Sequence, residues 1–254
     1  MARAAGKVQF CGDEELDYLA NRTPFEEGRG FLLDEAYRLA HLPLVAPDHP
    51  RIIAHREGSP YEMGRHERVF SLVLPIPDAL LRGSAAYHAL ETELRASPLA
   101  AKIAWDIVER RRQKLHATIC GSLAIGETPP ILDATQRDAL RRLGPVSVEL
   151  RGLFSGNVNR GRLYLRAYPE KRDGFNVFHR IQQVLGRPKT ALYVVGIYNL
   201  TDDLDAADCS ILSELLARRW DRPIVRFEAD ALWLLGASDD LVLDSETAEI
   251  VPLI

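Results

Sequence analysis

Lys114-Leu115-His116-Ala117-Thr118-Ile119-Cys120 alternates polar and apolar residues, and in a strand such alternation means two faces. Leu115, Ala117 and Ile119 share one face, suited to packing beneath a helix, while Lys114, His116, Thr118 and Cys120 share the other. A rise of ~3.3 Å per residue sets the imidazole and the hydroxyl ~7 Å apart along the strand. Threonine can donate to a phosphate oxygen while histidine, which titrates near neutrality, moves a proton on the neighbouring oxygen. The polar face therefore reads as an anion grip, against the plainer alternative of a half-buried structural histidine.

The elements on either side give this strand a setting. Upstream, Val69 to Leu74 is a short apolar run that stops at Pro75-Ile76-Pro77-Asp78, which predicts a strand followed by a helix over residues 78–95. Downstream, residues 145–150 and 161–168 alternate around the turn SGNVNRG and predict a hairpin. A helix is expected over 173–185, a strand over 191–200 and a helix over 205–219, the last with an Asp N-cap and a closing Arg pair. Strands over 225–235 and 241–251 end the chain, with Asp239-Asp240 as the turn between them. Residues 1–65 mix Gly, Pro and charge with short apolar pieces and predict an irregular extension, with one short helix near Asp34 to His41 that wraps an edge or a cleft. Residues 66–254 form the expected main domain.

The chain has 254 residues, 46% hydrophobic and 27% charged, enough to bury a core and outside the collagen-like, low-complexity and disulfide-scaffold classes. A net charge of −4 gives no global positive field, so bulk nucleic-acid binding is not expected and any anion site is local. Cys11, Cys120 and Cys209 are widely spaced without a metal-ligand pattern. No apolar run suits a signal-peptide core or a membrane span, which points to a cytoplasmic protein. Neither GxGxxG nor GxxxxGK[ST] occurs, so dinucleotide-fold and P-loop chemistry lose their usual support.

From VFSLVLPIPDAL through KLHATICGSL to PIVRFEADALWLL, the order of elements resembles the 2H phosphoesterases, the family of the RNA 2′,3′-cyclic phosphodiesterases, over roughly residues 68–254. The resemblance implies an α+β fold of two similar lobes, with two antiparallel-rich sheets around a central cleft. Each lobe lends an H-x-[ST] motif, whose histidines act as general base and general acid and whose hydroxyls hold phosphate. It also implies a nucleotide or RNA end as the small ligand and no metal or other cofactor.

His116 and Thr118 match the first motif. The second belongs near Ala191 to Leu200, where no His stands; Tyr193 and Val195 are its expected counterparts, with Gly196 allowing a one-residue shift. Three readings stay open. Tyr193, Tyr198, His66 or His179 supplies the second proton-transfer group; the cleft binds a nucleotide without cleaving it; or the extension closes the cleft and the chain is an interaction protein. The expected site is His116, Thr118 and Tyr193 for chemistry, with Lys114, Arg166 and Tyr198 for substrate. The arginines of Glu109 to Arg112 and of the 162–168 strand are further candidate cations, and the acidic cluster from Asp202 to Asp208 reads as helix capping.

Overall fold

The computed structural model describes residues 8–254. Residues 8–64 include α1 (Tyr18–Asn21), α2 (Glu35–Ala40) and α3 (Leu42–Val45). Then follow β1 (Arg65–Pro75), α4 (Asp78–Arg82), α5 (Ala85–Ala96), α6 (Trp105–Arg111), β2 (His116–Ile125), α7 (Ala134–Leu143), β3 (Val146–Ser155) and β4 (Arg162–Pro169). The short β5 (Lys171–Arg172) and β6 (Phe175–Asn176) lead into α8 (Val177–Val184), β7 (Val194–Asn199), α9 (Ala206–Arg219), β8 (Pro223–Ala229), β9 (Ala231–Asp239) and β10 (Ser245–Pro252).

Two four-stranded antiparallel sheets result, one ordered β10-β9-β1-β2 and the other β7-β4-β3-β8. The chain leaves the first sheet after β2, builds the whole of the second, and returns for β9 and β10. The edge strands β2 and β7 lie together, so the sheets meet along that line and a groove opens beside it. The fold is α+β, as expected.

Alternation places the side chains of the central strands. Leu72 and Leu74 of β1 and Ala117 and Ile119 of β2 enter the main core together with Leu115, whereas Ser71, Val73, His116 and Thr118 face the groove. Each fully buried Leu or Ile contributes ~1.5–3 kcal/mol, so slipping β2 by one residue would expose this row and bury the polar one. Helix α8 packs on β2 and α9 on β3. Gln182 of α8 donates to the Ile119 carbonyl at 2.9 Å, holding the start of β2 from behind.

Several elements differ from the sequence expectation. The single helix over 78–95 is two, α4 and α5, because Ser84 caps the second by accepting from the Tyr87 N–H at 3.3 Å. Helix α8 starts at Val177, since Asn176 caps it and exposed Phe175 belongs to β6. The strand over 225–235 is the end of β8 and the first part of β9, folded back around Asp230, and Asp239 closes β9, leaving Asp240 to begin the turn.

Residues 8–64 are laced onto the second sheet. Phe10 bridges to Glu170 and Phe31 to Leu204, while Leu16, Tyr18, Phe31, Leu33, Tyr37 and Leu42 are buried in the main core. The Tyr18 hydroxyl lies 2.7 Å from the Ala167 carbonyl and 2.8 Å from that of Tyr193, at the end of the β4–β7 ladder. Asp13 accepts from Trp220 Nε1 at 2.8 Å and from the Tyr168 hydroxyl, and pairs with Arg166 at 3.3 Å, clasping the start of the described chain to the end of α9.

Candidate functional site

The groove is about 320 Å³. One wall is the first sheet, with Ser71 and Val73 from β1, His116 and Thr118 from β2, and Leu235 and Ala237 from β9. The other is the second sheet, with Arg162 and Tyr164 from β4 and Val194 and Gly196 from β7. His66 at the start of β1, Asp239 at the end of β9, and Asp240 and Val242 from the turn that follows close one end. A larger hollow of about 1080 Å³ lies between residues 19–25, the end of β3 and α9, and no motif residue lines it.

His116 is half-buried, and its Nδ1 lies 2.8 Å from the Lys114 carbonyl. A carbonyl only accepts, so Nδ1 carries the proton and Nε2 keeps a lone pair. Burial pushes the imidazole down to about 4; the Lys114 carbonyl opposes this, and the charges of Arg111 and Arg162 add to it. The ring is therefore neutral at pH 7, in the form that takes a proton. Two residues along, Thr118 is exposed to the groove.

His66 is tuned the other way. Its Nε2 faces Asp240 Oδ1 at 3.4 Å and its Nδ1 lies 2.7 Å from the Glu67 carbonyl. The Asp240 contact outweighs burial and, with the carbonyl, raises the imidazole above its ordinary range. Although burial opposes it, contact with His66, the Arg162 charge and the Tyr61 hydroxyl, which donates at 2.9 Å, hold the Asp240 carboxyl far below the usual range. Both ring nitrogens thus face acceptors, Asp240 and the Glu67 carbonyl, an arrangement that favours the protonated ring beside the Asp240 carboxylate.

Arg162 lies across the groove on β4. Its Nη1 donates to Nε2 of buried His41 at 3.1 Å, and its Nε is buried without a partner. Burial, reinforced by the Arg162 charge, pushes His41 down to about 3, so this ring accepts. The guanidinium lies over Gly196, where a Cβ would overlap Nε, Nη2 and Cζ.

The remaining site expectations meet different fates. Val194 and Gly196 face the groove, so the one-residue shift applies, and Tyr193 and Val195 point the opposite way. Tyr193 is buried edge-on against Phe178 at 4.8 Å, and its hydroxyl donates to the Thr190 carbonyl. Tyr198 shares the parity of Gly196 but is covered, with its ring 5.7 Å from that of Trp105. Arg166 is buried, stacked 3.6 Å over Trp220 and bound to Asp13, so the face it shares with Arg162 is open at one end and roofed by residues 13–18 at the other. Lys114 donates to the carbonyls of Val242 and Leu243 at 3.1 and 3.2 Å, fixing the turn that carries Asp240. Cys120 is buried rather than open to the groove.

His179 lies 2.9 Å from the Thr190 carbonyl and does not line the groove. Arg111 is buried with its Nε donating to the Leu241 carbonyl, whereas Arg112 pairs with Asp78 and Glu109. In the acidic cluster, Asp205 caps α9 by accepting from the Asp208 N–H at 2.9 Å, Asp208 pairs with Lys102, and Asp203 binds Arg51. Sequence reasoning did not select Asp240 or His41 for the site, and offered Arg162 only among the further candidate cations of its strand. The available signal was Gly196, since glycine inside a strand marks a close approach by another group.

No protein-family description matches the chain, and no curated protein does. Among solved structures, the crystal structure of TT0787 of Thermus thermophilus is a distant likeness. It is 14% identical, with a TM-score of 0.36, and the match covers 73% of this chain and 97% of that one. Among the described residues, no helix is long and apolar enough to cross a membrane.

Proposed function

We propose that the chain is a divergent 2H-type phosphoesterase that opens a 2′,3′-cyclic phosphate, or cleaves a 2′,5′-linked nucleotide, at an RNA or nucleotide end. One observation carries this reading. Two imidazoles line a single groove, and their surroundings shift their proton affinities in opposite directions, which is how an acid and a base are told apart in a site.

In this scheme His116 Nε2 removes a proton from water as its oxygen bonds to phosphorus. Thr118 donates to a non-bridging oxygen. As the bond from phosphorus to the ribose oxygen breaks, His66 protonates the leaving oxygen. Its 3.4 Å contact with Asp240 is long for a hydrogen bond, so a substrate oxygen can compete for the proton. An anion beside His116 would also raise the basicity of that ring, offsetting its depression in the empty groove.

A second reading rests on Val194 and Gly196, which stand where the resemblance calls for a histidine and a hydroxyl: the groove binds a nucleotide without cleaving it. Hydrolysis of a panel of 2′,3′-cyclic and 2′,5′-linked nucleotides separates the two. The enzyme reading expects turnover that falls ~10²–10⁴-fold in His116→Ala and comparably in His66→Gln. Equal rates in wild type and His116→Ala would remove His116 from catalysis, and binding without turnover of any panel member would establish the second reading.

A further inference from the structure

Building on the reading of the groove as a phosphate site, we propose that Arg162, seated over Gly196, is its specificity-determining residue and makes it a receptor for phosphomonoester dianions in preference to monoanionic diesters.

The seat and its occupant depend on each other. Any side chain at position 196 would displace the guanidinium, and among strand residues only glycine leaves that space. Once seated, Arg162 has no carboxylate within ion-pairing distance among the described residues. Its hydrogen-bond partner is the neutral acceptor His41, its Nε is unpartnered, and the Tyr164 ring lies 5.5 Å away. The acids nearby make their hydrogen bonds elsewhere, although the Asp240 charge still acts on Arg162 through space. Asp239 accepts from the N–H groups of Leu243 and Asp244 at 3.0 and 2.8 Å, and Asp240 is held by His66 and Tyr61. Behind them, buried Arg111 has an unpartnered Nη1 and lies close enough for its charge to act on Arg162.

A hydroxyl in this seat would grip a phosphate of either charge with little preference. A permanent, planar cation in a partly dry groove favours the ligand with more negative charge and more acceptor oxygens. At pH 7.5 that ligand is the terminal monoester, whose second pKa is ~6. The product end of the proposed reaction therefore binds more tightly than its substrate end.

The test is calorimetric titration at pH 7.5 with adenosine 2′-phosphate and with adenosine 2′,3′-cyclic phosphate, in a His116→Ala background so that the cyclic ligand survives. The monoester is expected to bind about tenfold more tightly, a preference that vanishes in both Arg162→Gln and Gly196→Ala. Thermal unfolding of each variant establishes that the fold persists, and Arg162→Lys, which keeps the charge, should retain part of the preference. Equal affinities, binding of neither ligand, or a preference that survives Arg162→Gln would overturn the proposal. Hydrolysis by the wild type is read separately. A chain that discriminates the two ligands but never turns over defeats the phosphoesterase reading and leaves this one standing; the converse pattern defeats this one alone.

Discussion

At the residue scale, the opposed histidines make a direct prediction. Ring titration followed by NMR should place the His116 midpoint near 4 and that of His66 above the ordinary 6.5. The stability contributions carry opposite signs. A histidine depressed on folding contributes stability above its unfolded pKa and loses it as the pH falls, so His116 erodes stability between about 6.5 and 4, and buried His41 continues the loss towards 3. His66, raised on folding, contributes fully below about 6.5 and loses its share as pH rises through the elevated value. Urea unfolding at a series of pH values should therefore show a shallower acid decline in His116→Gln than in wild type. An unchanged slope would contradict the depressed pKa. His116 and Thr118 were legible because alternation in one short strand is local information. Tyr193 was misread because parity in the second strand had no anchor, and the burial of Arg166 depends on Asp13 and Trp220, which local spacing does not report.

At the element scale, capping fixes where several helices begin, although the sequence reading drew on it only for the helix after Asp205. Asp34, Asp133 and Asp205 each accept from the backbone N–H three residues on, and the three helices begin where those side chains allow. Asp205→Ala should lower stability by about 1 kcal/mol and the melting temperature by about 2–4 °C while leaving nucleotide binding intact, since α9 does not line the groove. A larger loss would mean that Asp205 does more than cap. The illegible breaks have the same physical character. Ser84 starts a new helix inside an apolar stripe that continues across it, and the tight turn at Asp230 interrupts a run whose β propensity does not change. Periodicity reports which face is buried, whereas these interruptions are set by one backbone group finding a different partner.

At the scale of the whole molecule, the two sheets are not two successive stretches of chain. β9 and β10 complete a sheet begun by β1 and β2, with the entire second sheet made in between. The interleaving brings the turn carrying Asp240 to the start of β1, and so assembles the His66 pair from positions 174 residues apart. Residues 8–64 then roof the second sheet, with Asp13 as the counter-charge to fully buried Arg166. Asp13→Ala should destabilise by about 3–5 kcal/mol in chemical denaturation, because it strands a buried cation. A loss under ~1 kcal/mol would show that the Trp220 carbonyl, to which Arg166 Nη2 also donates, and the surrounding rings suffice.

The clasp between Asp13 and Trp220 spans 207 positions. During synthesis at ~5–20 residues per second, the leading segment would wait roughly 10–40 s before its socket emerged from the ribosome. For much of that interval Leu16, Tyr18, Phe31 and Leu33 would lack the surface that later hides them. Docking of this segment therefore waits on the second sheet and α9, and completion of the first sheet waits longer still, for β9 and β10.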